Sequence, residues 1–209
     1  MSRNGLLLLG AGGHSNSCID VVEHQSDFQI VGLVDLPENR GSLHLGYSVI
    51  GSDEDIPALA LKYSYGLVSV GQIETADLRM RLFFLAVDAG LKMPVIVSPT
   101  AYVSRHAIVG EGSIIMHGAI VNAGATIGKN CIVNTQALVE HDASVGDHCH
   151  ISTNAILNGD ASIGTGSFVG SGTIISNGVT IGERCVVGMG LSVRHRLNAD
   201  THFVGYESK

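Results

Sequence analysis

The chain has no tryptophan, and five phenylalanines and five tyrosines are few aromatic side chains for 209 residues. A core built on bulky rings is therefore excluded, and the 27 glycines point to many turns stacked over small and β-branched side chains. Positive charge is scarce too. Twelve Lys and Arg against nineteen Asp and Glu give a net charge of −7, which argues against general affinity for nucleic acid or an anionic membrane but not against a local basic pocket. The four cysteines (Cys18, Cys131, Cys149, Cys185) show neither metal-type CxxC spacing nor a disulfide framework, so a reducing cytoplasm is the simplest setting and no metal site is expected. The apolar run Leu6-Leu7-Leu8-Leu9 is cut at once by Gly10-Ala11-Gly12-Gly13, too short for a signal core or a membrane span, and reads as a buried strand. A soluble protein with small-molecule ligands is expected.

What the chain does have is a period of six. From Val97 to Val193 an aliphatic residue recurs at every sixth position without a break. Four residues after each comes a second, mostly small position, which takes in Cys131, Cys149 and Cys185 as small interior residues. Such a hexad fits one flat face of a triangular coil: the aliphatic residue points inward, the small one fills the corner, and Gly, Asn or Asp accepts the tight turn. Three hexads make a coil of 18 residues, so the series spans a little over five coils with residues 18 apart stacked. The segments VGEGSI, IGKNCI, VGDHCH, IGTGSF, VGSGTI and IGERCV carry the pattern most plainly.

Residues 1–95 follow another rule, short apolar strands alternating with helical stretches. Strands are expected at 6–9, 30–34 and 67–70, and helices at 15–24, 53–63 and 75–89, which implies a small parallel sheet with right-handed crossovers. Pro94 and Pro99 bracket the handover. The segment LLLLGAGGHS sets a glycine-rich turn between a buried strand and a helix, where free N–H groups and the helix dipole favour an anion such as a pyrophosphate. Asp35 closes strand two, where an acid meets a ribose in dinucleotide-binding folds, but Ser15 stands in the third-glycine position, which weakens a dehydrogenase reading. His14 either faces phosphate oxygens or is an exposed turn residue. With Gly71 at the end of LVSVG, Gly12, Gly13, His14 and Asp35 would share the carboxyl end of the sheet and favour a nucleotide; a purely structural turn is the alternative.

Within the coil, His141 lies between Glu140 and Asp142, two carboxylates able to orient the imidazole and raise its basicity; a solvated polar corner is the alternative. Gly159, one coil further on, offers a bare backbone N–H beside that base as an oxyanion donor. Asn134 and His150 flank the same stretch and can order a water or a ligand.

With these motifs the chain resembles the nucleotide-sugar N-acetyltransferases of the hexapeptide-repeat superfamily, which pair a GAxGHG-like sheet domain with a coil carrying an EH[DE] motif, and which acetylate UDP-4-amino sugars or GDP-perosamine for surface glycans such as O-antigen. Sialic acid O-acetyltransferases share the architecture. The resemblance implies a small Rossmann-like parallel α/β domain (1–95) that binds the nucleotide sugar, followed by a left-handed parallel β-helix (96–209) that carries the acyltransferase chemistry. It implies His141 as general base, Asp142 as the acid that raises its basicity, and direct transfer from acetyl-CoA. Gly12, Gly13, His14, Asp35 and Gly71, with Asn134, then hold the nucleotide sugar. Acetyl-CoA lies on the outer coil wall between subunits of a homotrimer, at His150, Gly159, Gly170, Ser171, Gly188 and Met189. Two features depart from the family pattern: Gln72 stands where Asn commonly follows the strand-end glycine, and the tail HFVGYESK lacks the usual VGxPAK ending. Arg194, His195 and Arg196 either meet CoA phosphates or form a solvated basic end. A sialic acid O-acetyltransferase and a non-catalytic trimeric nucleotide-binding scaffold are the competing functions.

Overall fold

Four consecutive leucines with no exposed surface, Leu6 to Leu9, run through the middle of an α/β layer. The computed structural model of the chain describes residues 3–205. Its first elements are β1 (Asn4–Leu9), α1 (Gly13–His24), β2 (Phe28–Val34), β3 (Leu43–His44), β4 (Tyr47–Gly51), α2 (Ile56–Ala60), β5 (Tyr65–Val68) and α3 (Asp77–Asp88). They form a five-stranded sheet in the order β3-β4-β2-β1-β5, parallel except for β3. Burial on both faces explains why β1 is a continuous apolar run rather than an alternating one.

One local expectation needs correction, and one element was missed. The helix expected over 53–63 is a 3₁₀ turn at Asp53–Asp55, closed by a capping box between Ser52 and Asp55, followed by the short α2. The β3–β4 hairpin was not foreseen. Its two-residue turn places Leu45 (φ 45) and Gly46 (φ 87) in the left-handed region, the geometry of a type I′ turn without the usual Asn or Asp in the first position.

Beyond Met93 the chain is a left-handed parallel β-helix, its strands gathered in three sheets of seven, six and five. Each aliphatic residue of the hexad series closes a two-residue strand, and ladder partners stand 18 residues apart, as in Val121↔Val139 and Val133↔Ile151. Val121, Val133, Val139, Ile151 and Leu157 have no exposed surface, and the corner residues Ala119, Cys131, Ala137, Cys149 and Ala155 are equally buried. From Gly112 to Gly190 every sixth residue has positive φ, half of these positions being glycine and the others Asn130, Gln136, Asp142, His148, Asn154, Asp160 and Arg184. The coil outlasts the hexad series: Leu197 bridges Ile181, and His202–Phe203 pairs with Val186–Val187.

The first face of the coil, which begins at Ile96–Val97, decides where ligands can sit. Its outward residues on the lower rungs, Ile96, Ile114 and Ile132, pack into one apolar core with Cys18, Val21 and Val22 of α1. A polar tie reinforces this contact, with His117 Nε2 2.8 Å from Asp20 Oδ2 on α1 and His117 Nδ1 2.6 Å from Ser98 Oγ. Arg79 of α3, almost fully buried, donates to Val68 O and to both Asn130 O and Oδ1, clamping the sheet to a coil corner. Among the described residues no helix is long and apolar enough to cross a membrane.

Candidate active site

The parallel strands β2 and β5 lie on opposite sides of β1, and the crevice beyond such a reversal is where open α/β sheets bind ligands. A cleft of about 260 Å³ occupies that place, lined by residues 10–14, Asp35, Asp53, Gly71 and Arg81 among others. Five of the six residues expected to hold the nucleotide sugar (Gly12, Gly13, His14, Asp35, Gly71) line it, and Asn134 does not. Gly10 has φ 116, and a Cβ on it would stand 2.4 Å from Val70 Cγ2, so the ends of β1 and β5 approach this closely only with glycine. No side chain caps α1, which leaves first-turn N–H groups for an anion. Ser15, in the third-glycine position, donates Oγ–H to Gly12 O at 2.8 Å and lies 2.7 Å from His44 Nε2 on the hairpin. The serine closes the turn by its own bonds. Asp53 and Arg81, an ion pair at 2.8 Å, were not foreseen, because the residues after β4 read as the start of a longer helix.

His14 resolves neither as exposed nor as a phosphate-facing cation. Its ring lies beside Gly71 and 6.1 Å from the ring of His150. Burial first, then the charges of Arg79 and His150, push its pKa down to about 3, so at neutral pH it offers one N–H without charge. Its Nε2 is enclosed and has no hydrogen-bond partner among the described residues.

Higher on the first face, above the rungs that α1 covers, a groove of about 500 Å³ opens. His150, Gly170, Ser171, Gly188 and Met189, five of the six residues expected on the cofactor wall, line it, together with Phe168 and, from the sheet part, Ile73 and Glu74. Gly170 has a second reason to be glycine: a Cβ there would stand 2.5 Å from the carbonyl carbon of Gly188 on the next rung. His150 Nδ1 is 2.7 Å from Gln72 O, which sets the proton on Nδ1, and Nε2 then accepts from Asn134 Nδ2 at 3.0 Å. Burial lowers the His150 pKa to about 4. Asn134 therefore backs the groove and does not flank the His141 corner, as the linear sequence suggested. Arg194, His195 and Arg196 are exposed and line neither the cleft nor the groove.

His141 lies on a different corner, two residues past Val139, where the second face turns into the third. The expectation of an imidazole held by two carboxylates is half met. Asp142 Oδ2 is 2.9 Å from His141 Nδ1, whereas Glu140 Oε2 turns away to accept from Asn122 Nδ2 at 2.9 Å and from the His141 backbone N–H at 3.2 Å. The hydrogen bond to Asp142 raises the His141 pKa, helped by the charges of Asp142, Glu140 and Asp160. With the proton fixed on Nδ1, the lone pair of Nε2 is free to act as a base.

Gly159 sits directly against that nitrogen: a Cβ on it would be 2.8 Å from Nε2 and 2.7 Å from Cε1. The Gly159 N–H has no hydrogen-bond partner among the described residues. Within one chain Gly159 therefore stands beside the base and does not line the groove. Asn177, a further rung along, brings its Nδ2 within 3.3 Å of the same point; its only sequence signal was its distance of two coils from His141. The His141 side chain is 64% exposed, and within one chain its corner lines neither the cleft nor the groove. Beside it the second face presents the outward ladder Tyr102, Ile120, Leu138, Ile156 and Ile174, of which Tyr102, Ile120 and Ile174 are exposed.

The chain matches two family models, the PglD N-terminal domain over residues 5–81 and the hexapeptide repeat of succinyl-transferase over residues 161–194. A search of curated protein sequences finds no match. Among solved structures it is similar to the acetyltransferase domain of PglB from Neisseria gonorrhoeae FA1090 in complex with acetyl coenzyme A, at 30% identity and a TM-score of 0.87 over 94% of each chain. It is likewise similar to PerB from Caulobacter crescentus in complex with CoA and GDP-perosamine, at 32% identity and a TM-score of 0.88, covering 95% of this chain and 93% of the other. WeeI from Acinetobacter baumannii AYE, at 21% identity and a TM-score of 0.70 over 90% of this chain and 93% of the other, shares the fold.

Proposed function

This chain belongs to the hexapeptide-repeat sugar N-acetyltransferases that carry a PglD-type N-terminal domain, and from that premise we propose that it transfers acetyl from acetyl-CoA to the 4-amino group of a nucleotide-linked amino sugar, GDP-perosamine being the leading substrate. The observation that carries the chemistry is the His141 corner: Nδ1 tied to Asp142, Nε2 bare, and the unpartnered Gly159 N–H beside it. The amine nitrogen attacks the thioester carbonyl carbon while its proton passes to His141 Nε2. Asp142 steadies the imidazolium, and the Gly159 N–H meets the developing oxyanion. Collapse breaks the C–S bond, and the proton on His141 leaves with the CoA thiol.

The cleft at Gly12, Gly13, His14, Asp35 and Gly71 takes the nucleotide, its diphosphate on the open end of α1. The groove at His150, Gly170, Ser171, Gly188 and Met189 takes acetyl-CoA, with Asn134 orienting His150 from behind. Because the base opens into neither pocket of its own chain, a second copy must complete the site. The apolar ladder beside His141 supplies the contact, and a homotrimer with active sites at its seams is the assembly this arrangement supports. The seam then removes His141 from bulk water.

The test is thiol release from acetyl-CoA, compared between amino-sugar and hydroxy-sugar nucleotides carrying GDP, UDP or CMP. Release with the 4-amino sugar only is expected, and His141→Asn should lose ~10²- to 10⁴-fold in kcat while still binding both ligands. A variant turning over within a few-fold of the wild type removes His141 from the mechanism, and release with hydroxyl acceptors alone makes the enzyme an O-acetyltransferase.

A further inference from the structure

The five residues 70–74, between β5 and α3, form one wall with two sides. Val70 and Gly71 line the cleft at the end of the sheet, and Ile73 and Glu74 overhang the groove on the coil. Gln72 lies between them, only 4% exposed, and points down onto the coil. Its side-chain Nε2 donates to Gly166 O at 3.2 Å, with Ser167 O at 3.5 Å, and its own carbonyl receives the Nδ1–H of His150 at 2.7 Å. That bond fixes the tautomer of His150, which fixes Asn134: Asn134 Nδ2 donates to His150 Nε2 at 3.0 Å, and Asn134 Oδ1 accepts from the Thr135 backbone N–H at 2.8 Å. On the other side, the His14 ring rests against Gly71, one peptide away from Gln72.

We propose that Gln72 is a positioning residue that makes nucleotide-sugar and acetyl-CoA binding mutually dependent, with residues 70–74 as the element through which each pocket registers the other. This rests on the ligand assignment given above. Moving His14 or Gly71 to suit a ligand in the cleft moves the Gln72 peptide, and the carbonyl that accepts from His150 Nδ1 moves with it. His150 floors the groove, so the second ligand meets a wall already set by the first.

Two of the three buried side-chain polar atoms without a partner among the described residues belong to this junction, His14 Nε2 and Gln72 Oε1. Each is a group whose burial is costly until something pairs with it. The wall is therefore incompletely satisfied by the protein alone, and a ligand group or ligand-ordered water that pairs with either atom favours one setting of it. Coupling of this kind acts equally in both directions.

Titration calorimetry tests it, with CoA as one probe and GDP and UDP in parallel as the other. In the wild type a saturating nucleotide is expected to shift the CoA Kd by about five-fold or more, and CoA to shift the nucleotide Kd by the same factor. Gln72→Met keeps the length of the side chain and the main-chain carbonyl that faces His150, but loses the amide that pins this peptide to Gly166 O; each ligand still binds, while the carbonyl no longer takes one position set by the cleft, and the factor falls to within about two-fold of unity, below the usual range of such couplings. A second readout covers a Met variant that does not fold. In the ¹⁵N spectrum of the wild type, GDP or UDP alone, with no CoA present, should move the His150 ring resonances. A wild-type factor of one, a factor preserved in Gln72→Met, or His150 resonances indifferent to a bound nucleotide overturns the proposal. If CoA binds and neither nucleotide does, the assignment of the cleft falls and this inference with it; if both bind without coupling, only the inference falls.

Discussion

Asp142 combines a backbone duty with a chemical one: at φ 60 it makes the corner turn, and its carboxylate holds His141 Nδ1 at 2.9 Å. Asparagine tolerates the same left-handed geometry, so Asp142→Asn removes the charge and spares the fold. The carboxylate raises the His141 pKa, so its loss lowers that pKa; the neutral imidazole is the working form, and the acidic limb of the pH–kcat/KM profile should move to lower pH. A limb that stays in place separates Asp142 from the base. Gly159→Ala is the complementary probe. Its Cβ would lie 2.7–2.8 Å from the His141 ring, which must swing away, and a displacement of that size costs about 10²-fold in kcat with little change in Tm. Both residues were legible in the sequence, Asp142 by adjacency and Gly159 by the 18-residue stacking rule. Glu140 helps raise the His141 pKa by its charge but does not hold the ring, for a geometric reason. As the last extended residue before the corner it points away from its neighbour, whereas the left-handed turn at residue 142 brings Asp142 round to the ring.

At the level of elements, the strands of the coil could be read one by one because every two-residue strand is fixed by its own hexad and by the hexad 18 residues away. The contacts between sheet and coil could not. Gln72 finds its partners 78 to 95 residues further on, and Arg79 and Asn130 meet across 51, with no local pattern to announce either. This junction also stores an acid sensitivity. His14 and His150 are neutral in the folded chain, with pKa values of about 3 and about 4 against 6.5 for the free side chain. Between those limits the unfolded state binds more protons than the folded one, so stability rises with pH: it is complete above about 6.5 and is lost as pH falls towards 4. Each imidazole contributes up to ~1.4 kcal/mol per pH unit in that window. Urea unfolding followed from pH 7.5 to 4.5 should show the decline, and His150→Gln, which cannot gain the proton, should flatten it. An equal slope in wild type and variant means that His150 is not among the protonating groups.

For the molecule as a whole, the sequence showed the parts of the machinery but not their distribution over separate surfaces. Cleft and groove share one side, joined at His14 and His150, while His141 stands on a corner that opens into neither. The hexad period fixes which residues point outward, not which outward face meets another chain, so the separation is invisible in one dimension. If the base of one chain serves the pockets of its neighbour, two inactive variants should rescue each other. His141→Asn keeps its pockets and lacks the base. Met189→Glu, at a position 79% exposed in the single chain, keeps the base and puts a carboxylate in the groove meant for an anionic cosubstrate. Each alone should assemble and be nearly inactive. Co-expressed, they form mixed oligomers in which some seams join an intact His141 to an intact groove, and acetyl transfer should rise well above that of either parent. Were base and pockets to cooperate within one chain, no subunit in the mixture would hold an intact pair, and co-expression would restore nothing.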